Sequence, residues 1–211
     1  MGETGLSSER ILRAAEDVLR RFGPGKATVV DVARALGVTH GSVYRYFPSK
    51  AALRDAVVRR WLEAIMSPLD AVVAEPGPAP ARLRRWLDIL VAAKRARAAD
   101  DPELFAAYFA LARQAGEVVR AHVDALVGQL TRIIADGVAA GEFVADDPAR
   151  AGLAVHHATT RFHNPGHAPE WAEPGIDDAL EAVWQLVLGG LLAPGHKGPD
   201  PGPKKRPKRK G

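Results

Sequence analysis

Hydrogen-bond donors, positive charges and aromatic rings crowd together between positions 39 and 50. The spacing predicts a helix here that follows a glycine turn and ends at Pro48, and only Val43 and Phe47 on it are clearly apolar. Such a polar face suits a groove of double-stranded DNA better than a protein core. The candidate DNA-binding residues are Thr28, Thr39, His40, Gly41, Ser42, Tyr44, Arg45, Tyr46 and Lys50.

Capping and turn residues mark the helices that must position this face. Thr28 predicts the start of a preceding helix, because its hydroxyl can cap the backbone while Asp31 reaches back to the cap N–H. Gly37 can adopt the left-handed conformation that closes this helix, and Thr39 is a good cap for the next one. The pattern therefore predicts a helix-turn-helix. The alternative is a helical hairpin whose polar side simply faces water.

The segment from Ile11 to Leu53 resembles the DNA-binding domain of the TetR family of bacterial transcriptional regulators. Between Gly37 and Leu53 it carries the family's run G-V-T-x-G-S-V-Y-R-Y-F-P-S-K-x-x-L. The resemblance implies an all-α fold with about nine helices. An N-terminal three-helix helix-turn-helix domain would precede a larger C-terminal helical domain for ligand binding and dimerisation.

The same resemblance implies roles for individual residues and for the whole protein. Tyr44, Tyr46 and Lys50 would lie near DNA phosphates, whereas the residues closest to base edges would be His40, Gly41 and Arg45. The partners implied are a palindromic operator, a second copy of the chain in a homodimer, and a small-molecule effector. Family habit favours a repressor that an inducer releases from DNA.

Charge divides the chain into three parts. Residues 1–60 carry a net charge of +5, residues 61–194 carry −7, and residues 195–211 carry +6. A polyanion would thus be steered toward the N-terminal part and away from the acidic body. The basic tail cannot form a core and is predicted to be disordered, although it also raises the alternative of a nonspecific architectural DNA-binding protein.

Hydrophobic periodicity predicts a DNA-binding domain over residues 1–48, a helical body over 49–194 and the tail over 195–211. A helix from about Ser49 to Met66 would connect the two domains, with Pro68 at its end or at a kink. A linker is predicted over residues 75–80. Further helices are predicted to end near Asp100, to begin at Pro102, and to span residues 116–140, 148–162 and 176–192.

Composition argues against several other classes of protein. The chain has no cysteine, which excludes disulfides, zinc knuckles and thiol chemistry. Its first residues do not resemble a signal peptide and no apolar run is long enough for a membrane span, so a cytoplasmic protein is predicted. It lacks H-E-x-x-H, G-x-S-x-G and P-loop motifs, and we therefore expect no enzyme and no cofactor.

Large apolar side chains in the body suggest a cavity between the middle helices, where helical bundles commonly hold ligands. An aromatic stripe at helical spacing is equally well explained as packed core. The candidate effector-binding residues are Trp86, Phe105, Tyr108, Phe109, Leu126 and Phe162.

Two helices of the body are candidates for the dimer interface. The second half of the last helix, residues 176–192, is apolar nearly all round and must be covered on several sides. The family resemblance favours packing of this helix and of residues 148–162 against their copies, because reading two half-sites needs a dimer.

Four of the seven histidines fall within residues 156–171 and raise a metal hypothesis. His163 and His167 are four apart, but Asn164, Pro165 and Gly166 between them break a regular helix. The favoured interpretation is structural, with histidines that cap a helix end, line the pocket or bond across the dimer. A metal-responsive regulator remains the weaker alternative.

Overall fold

Helices build the part of the chain that the computed structural model describes, residues 5–196. Within that part the structure has no strand, only an isolated bridge between Phe143 and Leu192. The predicted basic tail lies outside the described residues from position 197 onward. The elements are α1 Ser8–Phe22, α2 Val29–Leu36, α3 His40–Tyr44, α4 Lys50–Ala74, α5 Ala79–Asp100, α6 Pro102–Ala112, α7 Gly116–Ala139, α8 Pro148–His163, a 3-10 helix Pro165–Ala172, and α9 Ile176–Leu191. The predicted all-α fold is confirmed.

The helix starts of the N-terminal domain follow the predicted capping residues. The Thr28 hydroxyl accepts from the backbone N–H of Asp31, and the Asp31 carboxylate accepts from the backbone N–H of Thr28. Gly37 has φ 68° and ψ 29°, the left-handed conformation that only glycine adopts at little cost. The Thr39 hydroxyl then accepts from the N–H of Ser42 and starts α3. These local bonds fix the angle between α2 and α3.

The connecting helix α4 belongs to both halves of the molecule. Val57 and Val58 pack with the buried residues of α1, α2 and α3, whereas Ile65 and Leu69 pack in the core of the C-terminal body. A displacement at one end of α4 must therefore change packing at the other end, because close-packed interiors transmit strain.

The structure corrects the predicted end of this helix. α4 does not stop near Met66 but continues through Pro68 to Ala74. Proline inside a helix costs about 3 kcal/mol. Leu69 and Val72, which lie beyond it, are 0% and 1% exposed, and burying two such side chains contributes about 3 to 6 kcal/mol. Packing thus outweighs the break, and the linker predicted over 75–80 is shorter because α5 begins at Ala79.

The body is a helical bundle around α5 and α7. Trp86 is fully buried at its centre, and its indole N–H donates to the Gln129 side-chain oxygen at 2.9 Å. Helix α8 approaches α7 closely at Gly152, where an added Cβ would lie 2.8 Å from the Thr131 hydroxyl oxygen. The buried Arg82 donates to the Val72 carbonyl and so holds the far end of α4 against α5. The bundle therefore fixes α4 at its C-terminal end.

Candidate DNA interface and effector cavity

The second helix of the helix-turn-helix is shorter than the sequence predicted. α3 spans only His40–Tyr44, and Arg45 and Tyr46 lie in the turn that follows. Pro48 disfavours a helical conformation for the residue before it, Phe47, and this restriction pulls the helix end forward. Arg45 is thus presented from the end of α3 rather than from its middle.

Four candidate DNA-binding side chains are exposed and not committed to the fold. His40 and Tyr44 lie edge to face on the outer side of α3, with ring centroids 6.2 Å apart. Among residues 5–196, neither Arg45 nor Lys50 has a carboxylate partner within ion-pair distance, and both are exposed. Lys50 also lies in the first turn of α4, where free N–H groups attract anions. This surface offers positive charge and donors to a polyanion.

The remaining candidates have partners within the domain. The Thr28 hydroxyl donates to Asp31 at 2.5 Å, and the Thr39 hydroxyl lies 3.0 Å from that of Ser42. The Tyr46 hydroxyl donates to the Leu6 carbonyl oxygen at 2.5 Å and ties the segment before α1 to the turn after α3. The two threonine hydroxyls cap helices, and the Ser42 hydroxyl bonds to one of them. Tyr46 can reach a phosphate only by exchanging its bond to Leu6.

Aromatic stacking joins the DNA-binding domain to the body at α6. Tyr108 stacks on Trp61 of α4 with ring centroids 5.0 Å apart and an interplanar angle of 8°. Phe105 meets the same indole edge-on at 5.9 Å. An ion pair of 3.0 Å between Arg20 of α1 and Asp101 at the start of α6 supports this contact. Helix α6 therefore contacts both α1 and α4 and holds them together.

The six predicted effector-binding residues occupy three different places. Trp86 and Phe162 are fully enclosed by the core of the body. Phe105 and Tyr108 line an open cleft of about 300 Å³ at the junction with α1 and α4. Only two of the set, Phe109 and Leu126, line a cavity between the helices of the body.

This cavity lies between α4, α5, α6, α7 and α8, next to the turn at Asn164 and Pro165, and has a volume of about 120 Å³. Apolar side chains such as Trp61, Phe109 and Leu126 form part of its wall. Four basic side chains complete the wall, namely Lys94 of α5, His122 of α7, and His156 and His163 of α8. Among the lining residues none is acidic. We call this space the basic cavity.

Burial is the main influence on the pKa of the basic side chains that line the basic cavity. It lowers the pKa of Lys94, which is 3% exposed, to about 8, and the nearby Arg97 charge acts in the same direction. Burial also lowers the pKa of His122 and that of His163 to about 3, and it lowers the pKa of His156. At neutral pH the imidazoles are therefore neutral, whereas Lys94 is mostly protonated.

Lys94 and His122 were missed by the sequence analysis. In the run K-R-A-R a lysine is readily interpreted as part of a solvated helix face. The spacing carried a signal, because Lys94 follows Leu87 by seven residues and Leu90 by four and so continues the buried stripe of α5. A charged residue at a core position of a helix is a binding-site candidate.

The two histidines raised as weak metal candidates have other partners. Nε2 of His163 lies 3.2 Å from the Thr159 hydroxyl oxygen, and Nδ1 of His167 lies 2.7 Å from Glu170 Oε1. Pro165 begins a 3-10 helix that separates them. Residues 5–196 contain no group of three or more His, Cys, Asp or Glu side chains that could hold a metal ion.

Two family models match the chain. Residues 11–57 match the model described as "Bacterial regulatory proteins, tetR family", and residues 79–184 match "Tetracyclin repressor-like, C-terminal domain". The second match alone spans half of the chain. The first match covers the helix-turn-helix, and the second covers the lining residues of the basic cavity except Trp61 and Leu62 of α4.

Individual relatives agree with this assignment. The regulator RutR of Escherichia coli is 28% identical over 195 residues, covering 86% of this chain and 88% of RutR. The nucleoid occlusion factor SlmA of Vibrio atlanticus is 31% identical over 84 residues, covering 39% of this chain but only 43% of SlmA. The chain thus spans less than half the length of the SlmA relatives that it matches.

A solved structure shows the same fold. The structure of SmeT, the repressor of a multidrug efflux pump of Stenotrophomonas maltophilia, superposes with a TM-score of 0.69 at 19% identity. It covers 97% of this chain and 99% of SmeT. Within residues 5–196, every helix is too short or too polar to span a lipid bilayer. The chain belongs to the TetR family of bacterial transcriptional regulators, whose members bind DNA, dimerise and respond to ligands rather than catalyse reactions.

Proposed function

We propose that this chain forms a homodimer that binds a palindromic operator, represses transcription there, and leaves the operator when a small-molecule effector enters the basic cavity. The observation that carries the proposal is the continuity of α4. This one helix begins at Lys50, one of the candidate DNA-binding residues, and carries Trp61 and Leu62 of the wall of the basic cavity.

The DNA-facing surface divides into two kinds of contact. Arg45, His40 and Gly41 are presented at α3 and its end, where they can reach base edges in a major groove. Tyr44 on α3 and Lys50 in the first turn of α4 are exposed, and they would hold phosphates and fix the docking angle. Specificity would depend on the first group, and sequence-independent affinity on the second.

Effector binding can reach this surface through α4. The two DNA-binding domains of a dimer must be about one helical turn of DNA apart, ~34 to 36 Å, to engage both half-sites. An effector that pushes on Trp61 or Leu62 would tilt α4 and change that separation. By linkage, an effector that weakens operator binding must bind the operator-bound dimer more weakly by the same factor.

The exposed face of α8 and α9 supports the proposed dimer. A groove of about 540 Å³ lies between these helices, and Leu186 and Leu153, at 78% and 42% exposed, are among the most exposed large apolar residues here. Leu188, by contrast, is 4% exposed within its own chain. The all-round apolar character of α9 thus has two sources, an inner core face and an outer face that a second copy would cover.

We expect the Leu186→Glu variant to be a folded monomer at micromolar concentration. The substituted carboxylate would lie in a dry contact between two copies, where an unpaired charge is strongly unfavourable. In the free chain the same side chain would be solvated, so helicity and thermal midpoint should stay close to those of the wild type. Sedimentation equilibrium measures the oligomeric state, and circular dichroism measures the helicity and the thermal midpoint.

Val30→Glu is the matched control, because Val30 is also a large exposed apolar residue, at 51%, but lies on α2. It should sediment as the wild type does. If Leu186→Glu remained a dimer, the seam would lie elsewhere and this part of the proposal would fail.

The function itself is tested by selecting DNA. Purified protein is mixed with random duplexes, and the bound fraction is sequenced over several rounds. The proposal predicts enrichment of an inverted repeat, with binding that is lost when either half is scrambled. Fragments that show no common sequence, with affinity that falls steeply in salt, would instead indicate a nonspecific architectural protein.

A further inference from the structure

Lys94 is a buried positive charge without a counter-charge. Its side chain is 3% exposed, and among the described residues no carboxylate lies within ion-pair distance of it. The one favourable neighbour is the indole of Trp61, with the ammonium 5.3 Å from the ring centroid. A cation–π contact recovers only part of the hydration that a buried ammonium loses. The free protein therefore holds a cation that an anion would stabilise.

Three imidazoles surround this charge with unused hydrogen-bonding capacity. Nε2 of His122 and Nδ1 of His156 are buried and have no hydrogen-bond partner. His163 lies beside His156, with ring centroids 5.2 Å apart, and bonds to the Thr159 hydroxyl. A neutral imidazole can donate from one nitrogen and accept at the other. His122 and His156 can thus each turn a donor toward an anion that pairs with Lys94, whereas the Nε2–H of His163 is used by Thr159, whose hydroxyl donates to the Val155 carbonyl.

The set of groups favours an anion over a cation or a metal ion. A bound cation would be repelled by Lys94 and by Arg97, whose charge already lowers the pKa of Lys94, and the wall offers it no carboxylate. A bound anion would meet one ammonium and the N–H donors of two imidazoles, those of His122 and His156. The cavity is therefore electrostatically complementary to a negatively charged group.

The volume of the basic cavity and the chemistry of its wall further limit which anions can bind. An apolar protein cavity of about 150 Å³ is known to accept benzene, and the basic cavity has about 120 Å³. The side chains of Phe109 and Leu126 provide an apolar wall beside the basic one. The space thus suits a compact molecule with one anionic end and one apolar end.

We propose that the basic cavity binds a small organic carboxylate, with the carboxylate on Lys94, His122 and His156, with His163 beside them in the wall, and with its apolar part against Phe109 and Leu126. This inference rests on the proposed function, because it names the chemical class of the effector. It does not depend on the proposed operator or on the direction of regulation.

The same geometry predicts how binding depends on pH. The carboxylate requires protonated Lys94, whose pKa in the free protein is about 8. Affinity should therefore fall about tenfold per unit as the pH rises above 8, where binding must first add a proton. The groups that face Lys94 are Arg97 of α5, Trp61 of α4, His122 of α7, and His156 and His163 of α8.

The test compares benzoate with its neutral isostere benzamide, and hexanoate with hexanamide, by calorimetric titration of the full chain without DNA. We expect at least one carboxylate of the pairs to bind ~10-fold or more tightly than its amide, and this preference to vanish in Lys94→Met. Lys26→Met, which removes an exposed lysine of the loop between α1 and α2, should keep it.

A second variant protects the test against a folding defect. Lys94→Met removes a buried charge, so its thermal midpoint should equal or exceed that of the wild type. If it nevertheless misfolds, His122→Gln provides the measurement, with a smaller loss of carboxylate preference expected. If neither carboxylate outcompetes its amide, or if Lys94→Met binds benzoate and hexanoate as the wild type does, the inference is wrong.

Operator binding is measured separately by fluorescence anisotropy, so that the two proposals can fail independently. Carboxylate binding that leaves operator affinity unchanged would support the basic cavity as an anion site and contradict the proposed release. Release from the operator by a neutral amide alone would support the proposed function and contradict this inference.

Discussion

Replacing Arg45 by alanine should weaken operator binding by about 5- to 150-fold and relax the preference for one base pair. A bidentate arginine contact to guanine is worth about 1 to 3 kcal/mol of discrimination. Arg45 is exposed at the end of α3, and among the described residues no carboxylate lies within ion-pair distance of it. Its removal should therefore leave the fold intact. Affinities for the selected operator and for its single-base variants, measured at fixed salt, give the result.

The matched control is Lys50→Ala, which also removes one exposed positive charge but at the start of α4. It should weaken all operator variants alike and reduce the salt dependence of binding by about one counterion. Tyr44→Phe should likewise act on every sequence equally. If Arg45→Ala also weakened every variant to the same extent, Arg45 would contact only the backbone and the assignment of base readout would fail.

Acid should destabilise the folded protein at pH values above the usual pKa of the carboxyl groups. The pKa of His122 and of His163 is about 3 in the folded state, against about 6.5 in an unfolded chain. Below pH 6.5 these two histidines are therefore protonated in the unfolded state but stay neutral in the folded state. The free energy of unfolding falls as the pH falls. Between pH 7.5 and pH 5 the loss should be about 2 to 4 kcal/mol for the two groups together.

Urea unfolding at pH 7.5 and pH 5 measures this loss. The window lies above the usual pKa of carboxyl groups, 4.5 for Glu9 and 3.8 for Asp101, so these groups contribute little. The double variant His122→Gln/His163→Gln should lose less than half as much stability as the wild type. His167→Gln, which alters a partly exposed histidine paired with Glu170, is the control and should retain the full loss. An equal loss in the double variant would contradict the assignment.

The helix-turn-helix could be predicted from sequence because its geometry is set by local chemistry. Thr28 and Asp31 form the predicted capping box, and Gly37 adopts the predicted left-handed conformation. Such signals act over three or four residues and depend little on the rest of the fold. The end of α3 was placed too late, because Arg45 and Tyr46 have helical propensity but precede a proline-restricted residue.

Long-range packing explains what the sequence did not predict. Pro68 normally ends a helix, and only the burial of Leu69 and Val72 by α5 and α7 extends α4 to Ala74. The Tyr46 hydroxyl bonds to Leu6, forty residues away, so no local pattern could have indicated it. These are tertiary effects that override local propensity.

The proposed effector site was the least predictable part of the structure. Aromatic spacing pointed to Trp86 and Phe162, which the structure places within the solid core, and to Phe105 and Tyr108, which bracket the junction with α1. The basic cavity is defined instead by polar residues from separate helices, and only the fold brings them together. A buried lysine in an apolar stripe is the signal that sequence reasoning can use in related chains.

Trp61 links the basic cavity to the contact between α4 and α6. This one side chain stacks on Tyr108, faces the Lys94 ammonium and lies in both the junction cleft and the basic cavity. An anion at Lys94 would weaken the cation–π contact, and Trp61 would then be free to shift on α6. Since α4 carries Trp61, such a shift is a direct route from effector to DNA-binding domain.

The spacing of half-sites tests the central claim, that a symmetric dimer reads its operator with two helix-turn-helix domains at once. Five base pairs inserted at the centre of the selected palindrome turn one half-site to the opposite side of the duplex without changing any contacted base. The measurement is fluorescence anisotropy of the wild type on both duplexes at the same salt. We expect affinity for the expanded operator to fall at least ~100-fold, to the level of a single half-site. Equal affinity for both duplexes would contradict the account.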